Sequence, residues 1–195
     1  MDPSAATREA AASPVDARRP WRLEPATTTV FVVTSALTAV SLFVPSVLPA
    51  LMRTPAALTG EGWRVVTPLF VERGGAGEIT LNLVTLAVVG TLVERVWGSR
   101  AWLVFYLFGG IIGEIAGLAW KPTGAGSSVA LLGLLGGSAT WLLRYRPSRL
   151  FVVLGALLLV AGAVLTFLRN LHGPPLLAEA LAACFMTSRR AEGIE

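Results

Sequence analysis

Few side chains in this chain are equipped for chemistry. Among 195 residues His172 is the only histidine and Cys184 the only cysteine. A lone cysteine excludes a disulfide scaffold, and a lone histidine excludes a multi-histidine zinc site. Any mechanism that needs an imidazole must therefore use His172. A serine pair, Ser127-Ser128, follows Gly126, and Asn82 lies early in an apolar run. A serine hydroxyl is a poor nucleophile until a base takes its proton, and imidazole, with a pKa of about 6.5, is the usual base. The oxyanion formed on attack needs preorganised donors. Asn82 and backbone N–H groups at a helix start beside Ser128 would supply them. Glu114 and Glu179 stand within apolar runs, where a carboxylate is costly enough to count as a functional candidate. They suit a proton or ion path, or more simply neutral, hydrogen-bonded carboxyls facing other helices.

The elements that would position these groups follow from composition. The chain is 54% hydrophobic and 14% charged, with a mean hydropathy of +0.67. A soluble domain carries about 25% charged residues, so the expected solvent for most of this chain is lipid. Disorder is excluded by the same figures. A net charge of +4 raises the question of nucleic acid, but the arginines sit between apolar runs, as membrane topology places them. No nucleic-acid partner is expected. Fifteen arginines against the single Lys121, with abundant Ala and Gly, fit the coding bias of a GC-rich bacterium and hence a bacterial plasma membrane.

Residues 1–26 are polar and proline-rich, and read as a disordered cytosolic tail rather than a secretory signal. About 20 apolar residues cross the hydrocarbon core. On that measure spans are expected within 28–51, loosened near Pro45 and Pro49, and over 79–96, 101–120, 128–143, 150–168 and 174–188. Residues 53–78 form a long loop, too polar to cross yet dotted with Trp63, Leu69, Phe70 and Val71, and are expected at the interface. Residues 189–195 are a short cytosolic tail. The reading is an all-α membrane protein with one six-helix transmembrane domain over 27–188 and no room for a second domain.

Charge counting orients the bundle. With the N-terminus in the cytoplasm, eleven positive residues fall inside: Arg8, Arg18, Arg19, Arg22, Arg95, Arg100, Arg144, Arg146, Arg149, Arg189 and Arg190. Five fall outside: Arg53, Arg64, Arg73, Lys121 and Arg169. Both termini are therefore expected in the cytoplasm. The even-numbered spans then begin on one extracytoplasmic face, which brings Asn82, Ser128 and His172 to similar depth.

In this order the residues resemble the rhomboid family of intramembrane serine proteases. The loop contains Trp63-Arg64 followed by Thr67, Pro68 and Phe70, like the family's Trp-Arg motif. Asn82 opens a run that ends Gly90-x-x-x-Glu94-x-x-x-Gly98-Ser99. Tyr106 and the Gly109, Gly113, Gly117 ladder follow, then Gly126-Ser127-Ser128 with Gly133 and Gly136, and His172 opens the last span. The resemblance covers residues 30–188. It implies a six-transmembrane-helix rhomboid-like bundle that cleaves transmembrane segments of other proteins at the extracytoplasmic face. Ser128 would be the nucleophile, His172 the base, and Asn82 an oxyanion donor supported by Gly126 and Ser127. No cofactor or metal is implied.

Several positions depart from the family pattern. Glu78 stands where a histidine usually precedes the asparagine by four residues, and an ionised carboxylate cannot donate to an oxyanion. Val129 replaces the glycine after the serine, so the turn there must avoid positive φ or be strained. Leu132 replaces an aromatic that packs on the imidazole. Pro175 and Glu179 replace glycines on the last span, which bears on how closely that helix approaches the fourth. Ser127 is the rival nucleophile. Two other functions remain open on the sequence: a pseudoprotease that binds transmembrane clients without cutting them, and a small transporter or channel built around Glu114 and Glu179.

Overall fold

The computed structural model describes residues 22–145 and 148–192. The expected N-terminal tail lies outside the described residues through residue 21, and so do Arg146 and residues 193–195 of the expected C-terminal tail. All regular structure among the described residues is helical, with no β-strand and a single isolated antiparallel bridge between Arg53 and Gly124.

Seven helices follow in chain order: α1 Pro25–Phe43, α2 Val47–Leu51, α3 Ala76–Trp97, α4 Ser99–Trp120, α5 Ser128–Tyr145, α6 Arg149–Phe167 and α7 Gly173–Glu192. Of these, α1, α3, α4 and α6 are long and apolar enough to cross a membrane. Ser128–Arg144 of α5 and Gly173–Met186 of α7 are shorter apolar helices. The span expected within 28–51 loosens where its prolines stand: α1 ends at Phe43, and α2 forms separately beyond Pro45. Proline cannot donate to the ladder, and it drives the residue before it out of the helical region. Pro49 is tolerated because it falls in the first turn of α2.

Small residues set the spacing of the bundle. The most extensive contacts are those of α7 with α5, despite Pro175 and Glu179 on α7. The close approach comes from the glycines of α5. A Cβ at Gly136 would stand 2.1 Å from the Leu176 carbonyl oxygen, and one at Gly133 would stand 3.1 Å from the Gly109 Cα of α4. Glu179 is buried against the Gly109 and Gly133 backbones, and its carboxyl oxygens form no hydrogen bond within the described residues. Much of α6, by contrast, is exposed apolar surface, with Leu150, Val153, Leu157, Val160 and Val164 facing outward. That is how a lipid-facing helix presents itself.

The 53–78 loop is tied into the bundle. It contains three short 3₁₀ turns, Pro55–Leu58, Gly62–Val65 and Thr67–Phe70. Arg64 donates to the carbonyls of Pro49 (2.7 Å) and Met52 (2.8 Å) and pairs with Glu61. The Trp-Arg motif thus satisfies carbonyls that the end of α2 leaves open. Leu69 is fully buried, fills the space left by Gly110 of α4, and its carbonyl accepts the Tyr106 hydroxyl at 2.7 Å. Tyr106 in turn stacks on Trp102, ring centroids 5.0 Å apart.

Candidate functional site

The break at 121–127, between the end of α4 and the start of α5, shapes one wall of the site. Gly126 has φ +148°, backbone that L side chains rarely adopt, and its N–H donates to Pro68 O at 3.0 Å. That residue absorbs the strained turn, so Val129 sits inside regular helix, buried, with no positive φ. A Cβ on Gly126 would stand 3.7 Å from Ser128 Oγ and 3.9 Å from Asn82 Nδ2. Glycine keeps that space open beside the two groups.

His172 comes from the short reversal between α6 and α7. Its Nε2 lies 3.0 Å from Ser128 Oγ, although 44 residues separate the two. Ser127 is placed otherwise: it is fully buried, and both its N–H (3.0 Å) and its hydroxyl donate to Glu72 Oε1. The Ser127 N–H is therefore engaged. Asn82 Nδ2 donates to the other oxygen, Glu72 Oε2, at 2.7 Å. One amide hydrogen of Asn82 is thus used, and its NH₂ carries a second.

Two acidic residues gain a meaning that their sequence positions did not give. Glu72 is 2% exposed and links the loop to α1, α3 and the turn before Ser128, since its own N–H donates to Thr38 Oγ1 at 3.0 Å. Glu114 takes its partner from the loop rather than from a neighbouring helix. It forms a buried ion pair with Arg53, 2.5 Å, and Arg53 also donates to the Lys121 carbonyl at 2.9 Å and 3.2 Å. Gly117 and Gly124 make room for that guanidinium, since a Cβ on either would overlap it. Nothing in the sequence pattern marks this pair, because Arg53 sits 61 residues from its partner in a polar loop.

Ser128 and His172 open on a cavity of about 300 Å³ whose lining also includes Gly126, Arg73, Glu78, Lys121, Arg53 and Glu114. Glu78 is exposed on its wall and folds over Gly74. Burial holds the His172 imidazole below its ordinary pKa, helped by the nearby cations Lys121 and Arg53 and opposed by Glu78. A neutral ring beside a serine hydroxyl is the state a general base requires. Asn170, which the sequence reading did not single out, places its Oδ1 2.7 Å from His172 Nδ1.

A profile of the Rhomboid domain matches residues 59–180. Among curated proteins, "Rhomboid protease GluP" of Bacillus subtilis (strain 168) is 44% identical over 78 residues, 40% of this chain and 15% of that protein. "Rhomboid-like protease 3" of Toxoplasma gondii is 33% identical over 87 residues, 44% of this chain and 33% of that protein. "Putative rhomboid protease YdcA" of B. subtilis is 31% identical over 80 residues, 40% of each. The matched regions thus span 15% to 40% of the relatives' lengths. With the profile covering most of the bundle and the apolar helices of a membrane protein, the chain belongs to the rhomboid family, a family of intramembrane proteases.

Proposed function

We propose that this chain is an intramembrane serine protease in which Ser128 is the nucleophile and His172 the general base. The observation that carries the reading is the 3.0 Å approach of Ser128 Oγ to His172 Nε2, within the reach expected of a nucleophile and its base. Ser128 Oγ attacks the carbonyl carbon of the scissile peptide as its proton passes to Nε2. The tetrahedral intermediate collapses, the C–N bond breaks, and His172 gives that proton to the leaving amine. Water then attacks the acyl ester, losing a proton to His172, which returns it to Ser128 Oγ as the acid departs. The second amide hydrogen of Asn82, across the open face of Gly126, is the oxyanion donor.

Six crossings are proposed, with α5 and α7 added to the four longer helices, both chain termini cytoplasmic and the cavity on the extracytoplasmic side. The positive-inside distribution supports this orientation. Residues 1–26 and 189–195 are then cytosolic tails and 27–188 the transmembrane domain. Substrates are transmembrane segments of other proteins, cut where the strand can extend into the polar cavity. Irregular backbone at that depth is tolerated because it lines a wet cavity. The host membrane is a bacterial plasma membrane.

A serine-reactive fluorophosphonate tests the proposal. Purified protein in detergent should be labelled, labelling should vanish in Ser128→Ala, fall at least 100-fold in His172→Ala, and persist in Ser127→Ala. No labelling of the wild type, or loss in Ser127→Ala alone in a folded protein, overturns it.

A further inference from the structure

Asn170 takes no part in the reaction as outlined, yet its side chain is among the most constrained at the site. It lies in the reversal between Phe167 and Gly173. Its N–H donates to Leu165 O at 2.8 Å, its carbonyl accepts from Gly173 N at 3.1 Å, and the neighbouring Arg169 turns the chain at φ 52°. A Cβ on Gly173 would stand 2.4 Å from Thr166 N, so the reversal is closed against the end of α6. From this fixed backbone Asn170 Oδ1 meets two nitrogens of His172: the main-chain N at 3.1 Å and ring Nδ1 at 2.7 Å.

The first contact decides the second. A backbone N–H can only donate, so the amide atom facing it is the oxygen, which removes the usual O/N ambiguity of an asparagine. A carbonyl oxygen can only accept, so Nδ1 carries a hydrogen. A neutral imidazole has one N–H. Nε2 is therefore bare, and its lone pair faces Ser128 Oγ at 3.0 Å. The Asx turn that Asn170 makes with the His172 N–H is a common local device. Here it also aims the same oxygen at the ring.

We propose that Asn170 is the positioning residue of this site, fixing His172 in the tautomer and orientation able to take the Ser128 proton, so that the Ser128–His172 pair works with Asn170 as its orienting third member. The consequence for catalysis rests on the protease reading; the tautomer does not. When Nε2 accepts the proton, Nδ1–H stays on Asn170, which orients the imidazolium without accepting its proton. A neutral amide suits this site better than a carboxylate would. An anion beside Nδ1 would favour the protonated ring, against the burial and the Lys121 and Arg53 charges that keep it deprotonated, with Glu78 alone opposing them.

His172 being the only histidine, protein grown on ¹⁵N-histidine and purified without a histidine tag reports one imidazole by NMR. The wild type should show protonated Nδ1 and bare Nε2 above the ring's titration. Asn170→Ala should show a mixture of tautomers or the reverse one, and react with fluorophosphonate about 10–100-fold more slowly. Asn170→Asp keeps both acceptor contacts. It should restore the tautomer and most of the rate at high pH, while its charge moves the acid limb of the rate upward. A residue that merely closes the reversal would change melting in both variants and leave tautomer and acid limb alone. Wild-type ¹⁵N shifts retained in Asn170→Ala, or an unmoved limb in Asn170→Asp, overturn the proposal. A wild type that has the expected tautomer but takes no label overturns the protease reading instead.

Discussion

Two buried carboxylates at opposite ends of the bundle do the same physical work for different purposes. Glu94, 3% exposed, accepts from the N–H groups of Ala26 and Thr27 and the Thr27 hydroxyl, each at 2.8 Å, and from the Ser99 hydroxyl at 2.6 Å. Pro25 has no N–H, so Glu94 satisfies the first two donors of α1 and binds them to the start of α4. Glu72, 2% exposed, gathers the Ser127 N–H and hydroxyl and the Asn82 amide. Every partner of Glu94 belongs to a helix start where nothing reacts. Every side-chain partner of Glu72 adjoins Ser128. An anion ringed by donors is a general way to lock irregular chain inside an apolar bundle, and only its location makes it part of a site. Substitutions at the two ends should accordingly separate stability from reactivity.

The largest effect is expected where a charge would be stranded. Arg53→Met leaves Glu114 buried without its partner, at a cost of about 3–5 kcal/mol, read as a lower unfolding midpoint in mixed detergent. Adding Glu114→Leu should recover most of it, because an apolar pair of similar volume removes the uncompensated charge. If the double variant stays as unstable as the single one, the pair does more than neutralise itself. Next comes Glu94→Ala. It orphans buried donors that each cost about 1–3 kcal/mol. The expected result is about 2–3 kcal/mol of lost stability, with the fluorophosphonate rate of the folded fraction unchanged within about twofold. Glu72→Ala should reverse that pattern. Its stability loss should be smaller if water entering from the adjacent cavity, which Gly126 and Ser128 line, takes the place of the carboxylate, while the rate falls about 10-fold as Asn82 and the Ser127 turn loosen. Equal behaviour of the two variants would erase the distinction between clamp and site.

The sequence made the long helices legible because charges and glycines bound their apolar runs. The boundaries of α3 to α6 fall within three residues of those expected. Within 28–51 the charge-free run alone would read as one helix, but Pro45 and Pro49 marked where it loosens, and the chain breaks there. Topology led only to an expected similar depth for Ser128 and His172, on the reading that alternate helices start on one face; their 3.0 Å approach depends on tertiary packing that the sequence does not show. Glu72, Arg53 and Asn170 escaped notice for a common reason. They sit in connections, where a polar residue reads as solvated, and only the tertiary path of the 53–78 loop and of the α6–α7 reversal turns them inward. Asn170 alone left a local trace, the i to i+2 spacing of an Asx turn ahead of a helix. Val129 required a turn that avoids positive φ or is strained, and the structure takes the first course, with the positive φ three residues back at Gly126.

The smallest expected effect discriminates most finely, because it uses charges that touch nothing in the reaction. As the proposed base, His172 can work only when neutral, so the fluorophosphonate rate should be full above the ring's pKa and lost as pH falls through it. Burial, Lys121 and Arg53 hold that pKa below its usual value, so the acid limb should lie at lower pH than a free imidazole would give. Lys121 and Glu78 line opposite signs of charge on the cavity wall, and both are exposed. Lys121→Gln removes a cation that disfavours the imidazolium, so the limb should move up. Glu78→Gln removes an anion that favours it, so the limb should move down. Salt screens exposed charges, with a Debye length of about 8 Å at physiological ionic strength. Both displacements should therefore shrink as salt is raised, whereas the shift due to burial should survive. The corresponding change at the Glu94 end, Arg100→Gln, should leave the limb where it is. Displacements of the same sign from Lys121→Gln and Glu78→Gln would mean that the titrating group is not His172, and would move the search for the base elsewhere in the cavity.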